Sequence, residues 1–542
     1  MSYSDAGTAP AETVLQEVYA GEIRGAFGTI GRHGTGARNG WAARVRTLLA
    51  ILGPGLIVMV GDNDAGAFGT YAQAGQNFGT ALLWTLPLLV PVLYVNQEMV
   101  LRLGAVARAG HARLILERYG RFWGAFSVID LFLLNALTIV TEFIGISLAL
   151  GYLGISRPVG VVAAAVLIVA AAGTGSFRRF ERFSMALVFG SLLLIPVLVS
   201  VHPPLAKVTH DLLVPHLPRG RMSDILLLII AIVGTTVAPW QLFFQQSYVI
   251  DKRITARYVN YERLDLVLGI ILVLVGAVAM VSLTAATFAG RPGFGAFQDA
   301  GAVAAGIGNY VGRAAGVCFA VALIDASIIG AMAVSLSTAY AIGDVLSLQL
   351  SLHRRPQEAK GFYLIYGALI ALSAALVLTP GTPLGLLTNA VQALAGVLLP
   401  SATVFLLLLC NDAEVLGPWV NGPWLNLFTG LVIGLLLLLS IVLTAAVLFP
   451  GLGARGMTVM LVGGGALALI LAIPPLVKAL RTPRRRFPPA VRHAWRMPAL
   501  STLGRARMTP WTRIAMAALR GYLLIAGGLV LTRILMLAGL HI

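Results

Sequence analysis

The sequence predicts an all-α integral membrane protein in which two of the spanning helices are broken. Of its 542 residues, 58% are hydrophobic and only 11% are charged, which differs strongly from the composition of soluble domains. Apolar runs of about 18 to 25 residues recur along the chain, each long enough to cross a hydrocarbon core of roughly 30 Å. Polar segments interrupt two of these runs at membrane depth, a pattern typical of transporters.

Twelve apolar runs predict twelve membrane spans. A last apolar stretch at 515–540 contains Arg520 and Arg533. It is either a thirteenth span, which we favour, or a helix that lies in the membrane interface. The twelve predicted spans are 47–69, 79–101, 123–151, 158–173, 184–201, 225–250, 265–289, 313–345, 361–379, 384–410, 423–449 and 456–477.

The net charge of +17 is unevenly distributed along the chain. Arginine and lysine clusters precede the first span and follow the second, fourth, sixth, eighth and twelfth, whereas the loops 152–157, 380–383 and 450–455 carry little charge. The positive-inside rule then places the N-terminus in the cytoplasm, with an even number of core spans. We expect the basic face to contact anionic lipid in the plasma (inner) membrane. Lipid explains the charge better than nucleic acid does.

A short polar segment with two aspartates interrupts the first span. Its apolar run at 47–60 ends in Gly61-Asp62-Asn63-Asp64-Ala65-Gly66, after which apolar residues resume. A carboxylate in the bilayer is costly and usually faces an ion or substrate path. A break also frees backbone carbonyls, which is tolerated only where they line protein or water.

The sixth span carries a matching break. Gly234 to Pro239 follow the apolar run at 225–233. Breaks at corresponding positions of two halves indicate a transporter's binding site near the membrane midplane. The acids of the first break indicate that the substrate is a cation.

Further short motifs lie between about residue 47 and about residue 450. They are Gly53-Pro54-Gly55, Gln73-Ala74-Gly75, Leu82-Leu83-Trp84, Asn96-Gln97, Leu103-Gly104, Glu142-Phe143, Gln392, Leu399-Pro400 and Asn411 to Gly417. Together with the two breaks, these motifs resemble NRAMP divalent-metal transporters. The resemblance implies a LeuT-type fold with two inverted five-helix repeats, broken helices 1 and 6, and extra C-terminal helices.

This resemblance divides the chain into five parts. A cytoplasmic N-terminal segment covers 1–46, and the two repeats cover 47–201 (spans 1–5) and 225–410 (spans 6–10). Spans 11 and 12 cover 423–477. A basic cytoplasmic tail with the final apolar helix covers 478–542.

The site residues depart from the family's pattern. Aligned on the motifs, Asp64 keeps the family's Asp, while Ala67 and Ala238 replace its Asn and Met ligands. Ile139 and Trp240 occupy positions of the family's proton relay, and neither side chain ionises. In these departures the chain is similar to the magnesium-transporting NRAMP-related branch.

Ligand chemistry supports the same direction. A thioether favours late transition metals, so its loss lowers selectivity for Mn²⁺ or Fe²⁺ over Mg²⁺. Mg²⁺ usually keeps several waters and binds one or two carboxylates, and two alanines leave room for such waters. We expect Asp64 to supply the charge, and Gln392 and carbonyls near Thr235 to supply further oxygens.

Four other polar residues are candidates with open alternatives. Asp62 is a second ligand, an outer-sphere partner of a hydrated ion, or a helix cap. Gln241 holds a metal-bound water or joins two helices. Glu142 and Asp325 are intramembrane acids and therefore functional candidates, although Asp325 could simply pair helices. The alternative role of Asp64 is an N-cap in the broken span.

Two further expectations concern titratable groups. Asp130, Asp265 and Asp344 lie near span ends, where we expect them to be solvated. No core span is expected to contain a histidine that could shuttle protons.

The sequence therefore predicts a secondary transporter that takes up hydrated divalent cations, foremost Mg²⁺ and also Mn²⁺. We expect alternating access driven by the membrane potential without proton coupling. The alternative is a proton-coupled Mn²⁺/Fe²⁺ symporter of NRAMP type. An enzyme is not expected, because H-E-x-x-H and the aspartyl-protease motifs are missing. The metal ion is substrate rather than cofactor, and we expect a monomer.

Overall fold

The computed structural model describes residues 21–31, 40–380, 384–449, 451–481, 487–506 and 516–525, with the single positions 508, 513, 528 and 532. Near the N-terminus, β1 (Ile23–Gly25) and β2 (Gly28–Ile30) form an antiparallel hairpin. The helices that follow are α1 (Trp41–Ile51), α2 (Pro54–Val60), α3 (Ala65–Phe78), α4 (Thr85–Ala107), α5 (His111–Tyr119), α6 (Arg121–Leu153), α7 (Arg157–Ala172), α8 (Phe177–Gly190), α9 (Leu194–Val201), α10 (Leu205–Leu213), α11 (Met222–Thr236), α12 (Pro239–Asp251), α13 (Val259–Phe288), α14 (Ala300–Tyr310), α15 (Arg313–Val345), α16 (Lys360–Leu378), α17 (Leu384–Cys410), α18 (Ala413–Leu416), α19 (Pro423–Leu448), α20 (Ala454–Arg481) and α21 (Pro489–Ala494).

Among the described residues, nine helices are long and apolar enough to cross a membrane, or eleven if each of two bent pairs counts as one span. Each of the twelve predicted spans overlaps a helix, so the prediction of an all-α membrane protein is confirmed. Of the stretch 515–540, Met516–Ile525 is helical, and most of the remainder lies outside the described residues. The boundaries of the five parts stay predictions.

Large apolar side chains cover the outer surface of the helix bundle. Val166 on α7, Leu372 on α16 and Val462 on α20 are each more than 60% exposed. Exposed apolar surface of this extent indicates contact with a membrane or partner. On helices of this length we assign it to lipid.

Both predicted breaks are present. The first separates α2, which ends at Val60, from α3, which begins at Ala65. The second separates α11, which ends at Thr236, from α12, which begins at Pro239. Proline suits the first position of a helix because its missing N–H would have no intrahelical partner there.

The chain also bends earlier than predicted, between α1 and α2. The chain direction changes by 49° between the two helices. Gly53 at the bend has φ 152°, a conformation that other residues rarely adopt. Asp265 stabilises the bend by accepting hydrogen bonds from the amides of Gly53 (3.2 Å) and Gly55 (2.6 Å). The prediction that Asp265 and Asp344 are solvated is therefore wrong, because both are buried.

A buried lysine stabilises the same bend. The Nζ atom of Lys252 donates to the carbonyls of Ile51 (2.6 Å) and Leu52 (2.8 Å) and to Glu181 Oε1 (2.6 Å). Neither Lys252 nor Glu181 is exposed. Burial of the pair is tolerated because each charge has partners.

The N-terminal hairpin docks against this cluster. The amide of Ala26 donates to Glu181 Oε2 at 2.5 Å, and Arg182 Nε donates to the Ala26 carbonyl at 3.0 Å. Ile23 and Ala26 are buried. Gly25 lies directly on α1, where a Cβ would approach the Ala50 carbonyl oxygen to 2.0 Å, so the contact requires glycine.

Two clusters of buried apolar side chains meet at the first break. Residues 56–60 of α2 pack in one cluster, together with most of the apolar residues of α12. Ala65, Ala67 and Phe68 of α3 pack in the other. The polar residues of the break therefore lie at the boundary between two apolar cores.

Candidate metal site

Asp64 caps the second half of the broken first span. Its backbone is extended (φ −70°, ψ −176°), and its Oδ1 accepts a hydrogen bond from the Ala67 amide at 2.9 Å. The carboxylate thus satisfies an amide that the helix leaves without a partner, and it lies at the positive end of the helix dipole. The capping role that sequence reasoning gave as an alternative is present.

Glu142 of α6 reaches the same helix end. Its Oε2 accepts a hydrogen bond from the Ala65 amide at 3.1 Å, the amide that directly follows Asp64. Its Oε1 has no hydrogen-bond partner among the described residues. Glu142 is therefore part of the candidate site.

Close helix packing places these two acids together. A Cβ on Gly330 of α15 would lie 2.8 Å from the carboxyl carbon of Glu142 and 3.0 Å from Cβ of Asp64. A Cβ on Gly145 of α6 would lie 2.5 Å from Cβ of Ala65. Sequence reasoning missed both glycines. Their signal was an isolated glycine within an apolar helix, which often has a packing reason.

Asp62 lies within the break and is only 1% exposed. Its Oδ1 accepts a hydrogen bond from Gln241 Nε2 of α12, whereas its Oδ2 has no partner in the described part of the chain. Gln241 Oε1 in turn accepts a hydrogen bond from Gln97 Nε2 of α4 at 2.9 Å. Both ends of the Gln241 amide are thus engaged, and in this structure it holds Asp62.

The second break contributes oxygen atoms. Where the structure is described, the backbone carbonyls of 234–237 accept no backbone hydrogen bond, and the buried Thr235 Oγ1 has no partner. Thr236 Oγ1 lies 2.9 Å from the Tyr71 hydroxyl of α3 and donates to the Ile232 carbonyl. The end of α11 is therefore tied to α3, the helix that Asp64 caps.

The remaining predicted residues lie as follows. Ala67 is fully buried in the first turn of α3, and Ala238 is 7% exposed at the N-cap of α12. Gln392 belongs to α17, but its side chain lies outside the described part of the structure. Asp325 lines a separate crevice together with Asn63.

A second crevice reaches the capped end of α3. Ala65, Gly69, Gly145, Asp299 and Thr388 are among its lining residues. Neither Ala67 nor Ala238 is among them. Room for a hydration shell at Ala67 and Ala238 stays a prediction.

One buried histidine escaped the sequence reasoning. His111, in the short helix α5 between two spans, is 1% exposed, and its Nδ1 lies 3.0 Å from Gln246 Oε1. Burial lowers the pKa of His111 to about 4, so the ring is neutral near pH 7. Nothing in the sequence indicated its burial, because it lies outside the apolar runs.

The fold and the polar breaks define a polytopic membrane protein with transporter architecture. Residues 55–446 match the family described as "Natural resistance-associated macrophage protein-like", and the chain belongs to that family. The manganese transporter of Eremococcus coleocola has a similar structure, with a TM-score of 0.62 at 21% identity over 82% of this chain and 97% of that one. The predicted LeuT-type fold is thereby confirmed.

The chain is also similar to bacterial proteins named divalent metal cation transporter MntH. It is 30% identical to the protein of Ralstonia nicotianae, over 70% of this chain and 86% of that relative. It is 28% identical to the protein of Xylella fastidiosa strain 9a5c, over 81% and 92%. The match to MntH 1 of Pseudomonas aeruginosa, at 32% identity, covers 46% of this chain and 59% of that relative.

Proposed function

We propose that this protein is a secondary transporter that takes up hydrated divalent cations, foremost Mg²⁺ and also Mn²⁺. Family membership supports a divalent metal ion as substrate. The observation that carries the proposal is the pair of buried acids Asp62 and Asp64 on either side of Asn63, with Asp62 Oδ2 left unpartnered in the described structure. Such an oxygen suits a cation that arrives from water.

The donors at the two breaks favour a hard ion. Carboxylate oxygens of Asp62 and Asp64 and free carbonyls of 234–237 are available, and Mg²⁺ prefers oxygen ligands. Ala67 and Ala238 supply no ligand atom from their side chains. A soft thioether, which would favour Mn²⁺ or Fe²⁺, is absent from both positions.

The membrane potential is sufficient to drive this uptake. A divalent ion that crosses a potential of about 100 mV gains about 4.6 kcal/mol, twice the roughly 2.3 kcal/mol of a single charge. That energy corresponds to an accumulation ratio on the order of 10³. Ile139 and Trp240 cannot relay protons, so we propose transport without proton coupling.

The rival is a proton-coupled symporter of Mn²⁺ or Fe²⁺, and one observation favours it. Glu142, a second buried acid, packs beside Asp64 against Gly330, and two adjacent buried carboxyl groups favour protonation of one of them. If metal binding to Asp64 expelled such a proton inward, metal and proton entry would be linked.

One experiment separates the two functions. The full chain is reconstituted in vesicles with an inside-negative potential, and entry of Mg²⁺, Mn²⁺, Ca²⁺ and Cd²⁺ is followed beside an internal pH dye. We expect Mg²⁺ and Mn²⁺ to enter without a change in internal pH. Acidification that follows metal entry would overturn uncoupled transport, and exclusion of Mg²⁺ would overturn the proposed substrate.

A further inference from the structure

We propose that Gln97 is a positioning residue for Asp62 and acts through Gln241. The inference rests on the proposed function, because it concerns an acid of the proposed metal site. Three buried side chains from three separate segments form a series of hydrogen bonds, here called the relay. Gln97 of α4 donates to Gln241 of α12, which donates to Asp62 in the first break. Gln97 and Gln241 are 0% exposed, and Asp62 is 1% exposed.

The hydrogen bonds of the relay have a fixed direction of donation, from Gln97 through Gln241 to Asp62. An ionised carboxylate only accepts hydrogen bonds, so the amide of Gln241 must turn its NH₂ group toward Asp62. Its oxygen then faces Gln97, which must donate. If Gln97 offered an acceptor instead, Gln241 would turn over and present its oxygen to the carboxylate. Gln97 therefore decides which face of Gln241 meets Asp62, although it does not touch Asp62 itself.

As a consequence, only one of the two carboxylate oxygens of Asp62 has a hydrogen-bond partner in the described part of the structure. The relay binds Oδ1 of Asp62 and leaves Oδ2 without a partner among the described residues. A buried charged oxygen without a partner is costly, and a second buried acid, Asp64, lies two residues further along the chain. A cation or one of its bound waters would satisfy Oδ2. By fixing Oδ1, Gln97 sets the position from which Asp62 meets the hydrated ion.

Reversing the polarity of the relay tests this inference. In Gln97→Glu, an ionised carboxylate at residue 97 can only accept, so Gln241 turns its oxygen toward Asp62 and the hydrogen bond to the acid is lost. We expect the KM for Mg²⁺ to rise about tenfold or more, the effect of losing a hydrogen bond to a charged group, with the maximal rate little changed. Gln76→Glu is the matched control, because Gln76 is bonded to the Gly293 carbonyl instead; its KM should stay within about twofold of wild type.

The double variant Gln97→Glu with Asp62→Asn restores both hydrogen bonds of the relay, with donation in the opposite direction. Residue 62 then donates to Gln241, which donates to residue 97. We expect Gln97→Glu alone to lower the melting temperature in detergent and the double variant to recover most of that loss. This readout requires no transport, so it tests the relay even if the substrate is not Mg²⁺.

The outcomes are separable. An unchanged KM in Gln97→Glu, together with loss of uptake in Asp64 variants, would overturn the relay and leave the proposed function intact. Failure of the double variant to recover stability would also overturn the relay. Absence of divalent-cation uptake by the wild-type protein would overturn the proposed function, and the melting temperatures would still decide the relay.

Discussion

The hydroxyl group of Tyr71 lies 2.9 Å from Oγ1 of Thr236, and this contact joins the two broken spans. Thr236 donates its own proton to the Ile232 carbonyl at 2.6 Å, so Tyr71 must be the donor to Thr236. Both residues are buried. The helix that Asp64 caps, α3, is thus linked to the helix that ends at the second break, α11, by one directed hydrogen bond.

Tyr71→Phe removes that bond and leaves the ring in place. We expect a loss of about 1 kcal/mol in stability, the net value of a buried hydrogen bond, and a reduced maximal uptake rate because the two breaks no longer move together. The melting temperature and Mg²⁺ uptake of reconstituted protein measure these effects. Tyr366→Phe, which removes a hydroxyl bonded to the Ile168 carbonyl away from the breaks, is the control. Equal rates in the two variants would contradict the coupling.

Asp64→Asn should abolish divalent-cation uptake while the protein remains folded. Asparagine caps helices as well as aspartate does, so the bond to the Ala67 amide survives and only the charge is lost. Asp64→Ala removes both charge and cap and should cost about 1 kcal/mol more in stability. Asp62→Asn should reduce uptake less, because outer-sphere hydrogen bonds survive. Wild-type uptake by a folded Asp64→Asn variant would refute the site.

Ala67→Asn combined with Ala238→Met should shift preference toward Mn²⁺ or Cd²⁺ and weaken Mg²⁺ transport. The reason is a softer donor and less room for water. Ala67→Asn combined with Ala238→Leu fills a similar volume without sulfur and separates the two causes. Competition of each metal against labelled Mn²⁺ gives the ion ranking. An unchanged ranking in the methionine variant would show that neither cause sets selectivity.

Glu142→Gln tests whether Glu142 carries a proton during transport. The glutamine amide can still accept from the Ala65 amide, and it imitates the protonated acid without a transferable proton. Uncoupled transport predicts uptake within a few-fold of wild type, with no change in internal pH in either protein. Loss of uptake in this variant, with acidification in the wild type, would instead support proton coupling.

The protein should lose stability as the pH falls from 6.5 to 4. The pKa of His111 is about 4 when folded against an ordinary value of 6.5, so the unfolded chain binds the extra proton in this range and stability decreases with acidity. Above pH 6.5 the ring is neutral in both states and contributes nothing to the pH dependence. His111→Gln should flatten the curve of melting temperature against pH. A curve identical to that of wild type would contradict this assignment.

The sequence was sufficient for the architecture because the bilayer restricts the choices. A broken apolar run, a basic loop and the acids at Asp62 and Asp64 can each be read without knowledge of distant contacts. Asp64 as a helix cap was foreseen because capping is local. The bend at Gly53 was missed because Leu52, Gly53 and Pro54 bring no polar residue into the apolar run.

The contacts between distant segments could not be predicted in the same way. Asp265 looked like a solvated acid at a span end, yet it binds two amides more than 200 positions earlier in the chain. Gln97 gave no sign of its connection to Asp62, because the two meet only through Gln241. Polar residues in apolar surroundings reveal that a partner exists, but only the helix packing reveals which one.

The docked hairpin has a practical consequence for anyone who shortens the protein for purification or imaging. A chain that began at α1 would lose the Ala26 amide, and Glu181 Oε2 would be left as a buried acceptor without its donor. Such a loss costs about 1–3 kcal/mol, and it falls on the acid that also binds Lys252 at the bend of the first span. Trimming should therefore stop before residue 21, and an affinity tag belongs ahead of that point.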